Sequence, residues 1–170
     1  AAEGVNICLN GFGETAVIEA ERAGIEKEFG VRCFYNGADM TRPAEIAAMV
    51  ADAQKRLGSL DILINNAGIQ FVSPIEDFPI EKWDQIIAIN MTSAFHTIRA
   101  AVPGMKENKW GRIINVTTSF STMIREGNTP YGQAKAALEA STHCWGEDLE
   151  GTGVTCNVLI PGGAADTTMI

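Results

Sequence analysis

The chain has 170 residues, 46% of them hydrophobic and 20% charged, with a formal net charge of −8. That is one domain's worth of polypeptide, with enough apolar side chains for a single sizeable core. The acid excess argues against a nucleic-acid or anionic-membrane surface, since both need clustered Lys and Arg, and no apolar run approaches the roughly 18 residues of a membrane span.

The start, Ala1–Ala2–Glu3–Gly4, lacks a basic region followed by an apolar segment, so no signal peptide is expected. Val5–Leu9 reads as a short strand ended by the loop Asn10–Gly11–Phe12–Gly13. Thr15–Phe29 carries Ala16, Ile18, Ala20, Ala23 and Ile25 among charged residues, a helical pattern stopped by Gly30. Val31–Tyr35 is the next strand, and Thr41–Arg42–Pro43 opens a helix that runs to Leu57 with Gly58 past its end. Leu60–Ile64 is a strongly apolar strand running into Asn65–Asn66–Ala67–Gly68. A loop with Pro74 and Pro79 leads to a long helix over about Glu81–Glu107, in which Pro103 predicts a kink or an early stop. Arg112–Thr117 is a strand, Pro130–Leu149 a helix, and Val154–Leu159 a final strand ended by Pro161–Gly162–Gly163. Strands alternating with helices, each strand nearly all apolar, predict an α/β, doubly wound parallel sheet covered on both faces.

Cys8, Cys33, Cys144 and Cys156 are dispersed without CxxC or Cys/His metal spacing. They fit buried reduced thiols in a cytoplasmic protein. His96 and His143 lack partners at ligand spacing and read as ordinary helix residues.

The chemistry centres on Thr129–Pro130–Tyr131–Gly132–Gln133–Ala134–Lys135. Tyr131 and Lys135 stand four apart, so they share one helix face one turn apart. An ammonium beside a phenol is expected to lower the phenol from its ordinary pKa of about 10 and ready it for proton exchange with an alcohol. The same spacing also describes a half-buried ring beside a solvated amine. Ligands of doubly wound folds bind at the carboxyl ends of the strands. Asp39–Met40, Asn65–Asn66–Ala67–Gly68, Thr117–Thr118–Ser119 and Pro161–Gly162–Gly163 all fall there.

An Asn-Asn-Ala-Gly turn, an Asn in the following long helix, a Ser or Thr after the next strand and Tyr-x-x-x-Lys opening the next helix resemble the classical short-chain dehydrogenase/reductase family. The resemblance implies that Tyr131 is the general acid/base and that Lys135 binds the nicotinamide ribose and tunes Tyr131. It also implies that Asn90 holds a water linking Lys135 to a proton relay. Ser119, or Thr118 thirteen positions before Tyr131, would bond the substrate oxygen; Ser119 is preferred. Asp39 would accept from the adenine amino group, Asn66–Ala67–Gly68 would line the adenine ribose, and Pro161–Gly162 would pass behind the nicotinamide. Taken singly, each residue also reads as a turn, a cap or a surface polar group.

The family begins with a strand and a glycine-rich turn that seats the pyrophosphate. Gly11–Phe12–Gly13 follows the second strand and cannot substitute for it. Residues 1–170 therefore read as the central part of a single dinucleotide-binding domain, without the first strand and the C-terminal part. On that reading Val5–Leu9 and Leu60–Ile64 are separated by room for one strand.

The front two-thirds also resembles bacterial D-3-hydroxybutyrate dehydrogenases, with Gln70 at their substrate-carboxylate position. Where those enzymes hold substrate with His, Lys and Trp, this chain has Phe120, Asn128 and Gly163. The function implied is an oxidoreductase moving a hydride between nicotinamide and a secondary alcohol or ketone, 3-hydroxybutyrate among the candidates. NAD is expected because Asn10–Gly13 offers no Arg or Lys for a 2′-phosphate, with NADP left open. Homotetramers paired through the Trp83–Met105 and Tyr131–Leu149 helices are expected, with no membrane and no metal. The competing reading is a non-catalytic relative that serves as a structural or interaction protein.

Overall fold

The structure, a computed structural model, describes residues 1–161. Its elements in chain order are β1 (Ile7–Leu9), α1 (Thr15–Phe29), β2 (Cys33–Tyr35), α2 (Pro43–Leu57) and β3 (Ile62–Asn65). After them come a 3₁₀ turn (Ile75–Asp77), α3 (Ile80–Ile87), a π-helical turn (Ala88–Thr92) and α4 (Ser93–Glu107). The chain then forms β4 (Gly111–Val116), α5 (Phe120–Met123), α6 (Tyr131–Asp148) and β5 (Val154–Leu159).

Local chemistry sets these limits. α1 and α2 stop where Gly30 and Gly58 turn left-handed, and the N–H of each glycine closes the last turn on Glu26 O and Gln54 O. Pro43 opens α2, where its missing N–H costs nothing. Of the kink or early stop expected at Pro103, the stop does not occur, and α4 runs past it to Glu107. Burial of Ile98, Ala101 and Met105 around the proline holds the last turn in place. The expected single helix over Glu81–Glu107 is instead α3, a π turn and α4 in series.

All strand pairs are parallel. β1 pairs with β2, and β3–β4–β5 form a second ladder in register Ile62↔Arg112, Ile113↔Cys156 and Val116↔Leu159. Among the described residues β1 makes no ladder with β3. By the starts of these two strands lies a cavity of about 600 Å³ lined by Val5, Asn6, Leu60, Asp61, Ile62 and Trp110. The two strands are not paired directly, as the room expected between them requires.

α2, α4 and α6 carry the core. Val50, Ile98, Ala101, Met105, Ile113, Leu149 and Val154 form one buried cluster, and Ala38, Met40, Ile46, Met49 and Ile89 a second. The expectation that both faces of the sheet are covered holds on one face only. Ile62, Ile64 and Leu159 share the other face by register, and they are 37%, 57% and 50% exposed. α1 packs on β2 and buries none of its own residues, so within the described residues it leaves that face bare. The thiols are free, but only Cys33 is buried; Cys8 and Cys156 are half-buried and Cys144 is exposed on α6, contrary to expectation. Among the described residues no helix is long and apolar enough to cross a membrane, and no cluster of His, Cys, Asp or Glu could hold a metal ion.

Candidate active site

The site is built where β3 and β4 end and α6 begins. Asn65, the last residue of β3, donates through its side-chain amide to Asn115 Oδ1 at 2.8 Å and accepts from Thr97 Oγ1 at 2.7 Å. Asn115, fully buried in β4, donates in turn to Thr142 Oγ1 of α6 at 2.9 Å. A buried amide left unpaired costs about 1–3 kcal/mol, so this chain of bonds fixes the strand ends against α4 and α6.

Asn90 sits in the π turn, 1% exposed. Its Oδ1 accepts from Ile69 N and its Nδ2 donates to Ile69 O, both at 2.8 Å. The amide thereby holds the chain that follows Asn66–Ala67–Gly68. π turns inside α-helices occur mostly at functional sites, and here the widened turn presents an Asn inward. A methyl group placed on Gly68 would lie 3.5 Å from Asn90 Oδ1 and 3.6 Å from Lys135 Nζ, so these three residues converge on one spot.

Tyr131 and Lys135 occupy the first turns of α6, and both are buried. Lys135 Nζ donates to Val116 O at 2.8 Å, across to the end of β4. Burial lowers the Lys135 ammonium to about 8. The expected lowering of Tyr131 is not found: burial pushes its phenol above the ordinary value. Nζ lies 6.0 Å from the Tyr131 ring centroid and is turned to the Val116 carbonyl, so desolvation of the phenolate outweighs the ammonium.

Ser119 caps the short helix α5, and its Oγ lies 3.0 Å from both Ser121 Oγ and Thr122 Oγ1. Thr118 stands one residue before it, after Thr117, whose buried hydroxyl has no protein partner. Gln70, the expected substrate residue, donates to Asn128 Oδ1. Asp39 lies apart, beyond β2: its Oδ1 accepts from Thr41 N and Thr41 Oγ1 at 2.8 Å each, and these bonds, with Arg42 nearby, hold its carboxyl below the usual range. Asn66 and Ala67 are exposed on the turn after β3, and Pro161 is exposed beyond β5. Gly162, like Gly163, lies outside the described residues.

A dinucleotide fits these groups. Lys135 has three N–H donors, of which Val116 uses one. The orphaned Thr117 hydroxyl lies along the chain from that carbonyl. Asp39 keeps a second oxygen whose nearest cation, Arg42, is 3.9 Å away. No basic side chain stands in Asn10–Gly13, where Asn10 instead ties the end of β1 to Asn36 O and Ala38 O.

The sequence reading missed Asn115 and Gly132, and took Asn128 only as a position where the hydroxybutyrate enzymes hold substrate. An Asn inside the apolar run Ile113–Ile114–Asn115–Val116 was a visible sign of a buried polar bond. Gly132, one residue into α6, was a sign of close packing. Nothing in the sequence signalled the bonds that the Asn128 amide makes.

The short chain dehydrogenase family model matches residues 1–170. The chain is 49% identical over 162 residues to a D-beta-hydroxybutyrate dehydrogenase of Cupriavidus necator, covering 95% of this chain and 62% of that protein. It is 44% identical over 165 residues to one of Rhizobium meliloti, covering 95% and 63%. The chain thus spans somewhat under two thirds of the length of these curated relatives. The crystal structure of a metagenomic short-chain oxidoreductase in complex with NADP superposes with a TM-score of 0.88 at 24% identity, over 95% of this chain and 73% of that one, a likeness of fold. A match along every residue, on a parallel α/β frame that gathers Asn90, Tyr131 and Lys135 at its strand ends, places this chain in the short-chain dehydrogenase family.

Proposed function

We propose that the protein is an NAD-dependent oxidoreductase that moves a hydride between nicotinamide and a secondary alcohol or ketone. The observation that carries this reading is the buried Tyr131–Lys135 pair, with the Lys135 ammonium held at the end of β4 by the Val116 carbonyl. The nicotinamide, when bound, supplies the hydride chemistry. Tyr131 gives the proton to a carbonyl or takes it from an alcohol, and burial keeps its phenol protonated at neutral pH. Ser119 donates to the substrate oxygen as charge grows there. Lys135 hydrogen-bonds the nicotinamide ribose, and Asn90 keeps the loop after β3 and a relay water in place. Asp39 receives the adenine amino group, Asn66–Ala67–Gly68 lines its ribose, and Pro161–Gly162 backs the nicotinamide. NAD rather than NADP is favoured by the absence of a basic side chain in Asn10–Gly13.

A 3-hydroxy acid such as D-3-hydroxybutyrate is the first substrate to try, supported by the names of the two relatives and by Gln70. A homotetramer is supported by Trp83 and Phe95, which are 37% and 44% exposed on α3 and α4. The test is Tyr131→Phe in the full-length protein, assayed by NAD reduction with D-3-hydroxybutyrate and a panel of neutral secondary alcohols. Turnover is abolished while NAD affinity stays within a few-fold; an unchanged kcat refutes the assignment.

A further inference from the structure

Asn128 lies three residues before Tyr131, in the segment joining α5 to α6, and is 3% exposed. Every polar group it has is bonded. Nδ2 donates to Thr122 O at 2.7 Å and to Met123 O at 3.4 Å, and Oδ1 accepts from Gln70 Nε2. Its backbone O accepts from Gly132 N at 3.0 Å, and its backbone N donates to Arg125 O at 3.2 Å. Its neighbour Gly127 accepts from Ser73 N at 3.2 Å.

These bonds join three stretches that carry different parts of the site. One follows β3 and bears Gln70, one is α5 with Ser119 at its cap, and one is the first turn of α6 with Tyr131. The two carbonyls on one side of the amide fix which end is Nδ2. Only a neutral amide satisfies all three partners. An aspartate would set negative charge against two carbonyl oxygens, and an aliphatic residue would leave both carbonyls and the Gln70 amide without their partner.

We propose that Asn128 is the positioning residue of the site, the latch that holds the Ser119-bearing loop and Gln70 in register with the Tyr131 hydroxyl. The catalytic part of this inference rests on the function proposed above; the mechanical part does not. Among the described residues no other side chain hydrogen-bonds both α5 and the stretch after β3, and the Asn128 backbone carries the link on to α6. Misplacement by about 1 Å is enough to lower a rate roughly 100-fold, so such a latch acts on kcat without touching the reacting atoms.

The test uses the full-length protein and two variants, Asn128→Ala and Asn128→Asp, with hydrogen exchange and steady-state kinetics read side by side. Exchange at the Thr122 and Met123 amides speeds by about tenfold or more in both variants, while the β4 amides keep their wild-type rates. With NAD and D-3-hydroxybutyrate as probes, kcat falls roughly tenfold to 100-fold, and the NAD Kd stays within about twofold. Asn128→Asp retains the acceptor for Gln70 but loses the donors and sets negative charge against the α5 carbonyls, so damage at least equal to that of Asn128→Ala assigns the effect to that side of the amide. Unchanged exchange in α5 overturns the latch. So does exchange that speeds equally through β4 and α6, which marks general destabilisation, or loosened α5 with wild-type kcat. A wild-type protein inert toward all substrates refutes the proposed function instead, and the exchange data still decide whether Asn128 holds the loop.

Discussion

Gly132 offers the sharpest test of how the two sides of the site fit together. A Cβ at this position would lie 2.0 Å from Met123 O, 2.9 Å from Met123 C and 3.2 Å from Met123 Cα, all backbone atoms of α5. Real Cβ contacts stay above 3.0 Å, so Gly132→Ala must drive the Met123 carbonyl and α6 apart by about 1 Å, with no side-chain rotamer available to absorb it. Overpacking of this kind costs about 1–3 kcal/mol, which in a domain of this size lowers Tm by roughly 2–12 °C. The displaced carbonyl is one that Asn128 Nδ2 holds, so the shift carries the Ser119 loop away from Tyr131. A shift near 1 Å lowers kcat about 100-fold, or about 2.7 kcal/mol of barrier. Lys135 lies one turn further along α6 and is bonded to β4 rather than α5, so NAD affinity changes little. The assay is a thermal melt with steady-state kinetics and NAD titration on full-length protein. Gly24→Ala is the control, since nothing lies within 4 Å of a Cβ there, and it leaves Tm unchanged or slightly raised. A Gly132→Ala protein with wild-type Tm and kcat would falsify the packing argument.

Two further outcomes are expected. Lys135 has a folded pKa of about 8, below its ordinary 10.5. Between these values the unfolded chain binds more protons, so this group makes stability rise with pH across the window, and its burial costs stability fully below it. Cys8 and Cys156, pushed up by burial from 9.0 to about 11, act oppositely over their own range. The wild-type melting curve minus that of Lys135→Met therefore isolates the lysine, and a flat difference from pH 7 to pH 10 refutes the shift; NAD affinity, if it depends on the ammonium, weakens above pH 8 only in the wild type. Asn115→Val removes the bonds to Asn65 and Thr142 and strands the Asn65 amide in the core. A loss of about 1–3 kcal/mol in denaturant unfolding is expected, and an unchanged midpoint speaks against the network.

Much of the frame was legible because its signals are local. Thr15–Phe29, with its apolar spacing and Gly30 stop, and Val154–Leu159, an apolar run before Pro161, are found with the expected bounds. The residues of the acid/base centre were legible as a pattern, since a four-residue spacing guarantees a shared helix face whatever surrounds it. Their electrostatics were not. Whether Lys135 faces the phenol or the Val116 carbonyl is settled by β4, a strand that ends fifteen residues before Tyr131. The bonds of Asn128 were illegible for the same reason, because its partners Gln70 and Thr122 come together only through the tertiary fold. The bare face of β3–β5 was hidden too: an apolar strand such as Leu60–Ile64 reads the same whether one side or both are packed.

The π turn between α3 and α4 has a consequence for phase. Each residue of an α-helix advances the side chains by about 100°, and the Ala88–Thr92 turn holds one residue more than an α-helical turn would. α3 and α4 therefore keep separate angular scales on what looks like one rod. Asn90 points inward where the scales change. Removing any single residue from this turn would restore one continuous scale, leave Trp83 and the rest of α3 facing as they do relative to Ile98 and Met105, and take the inward Asn90 out of its place. The side chains on the two sides of the turn thus follow two separate numberings of one face, and a one-residue gap here acts on the Asn90 position rather than on the packing of α3.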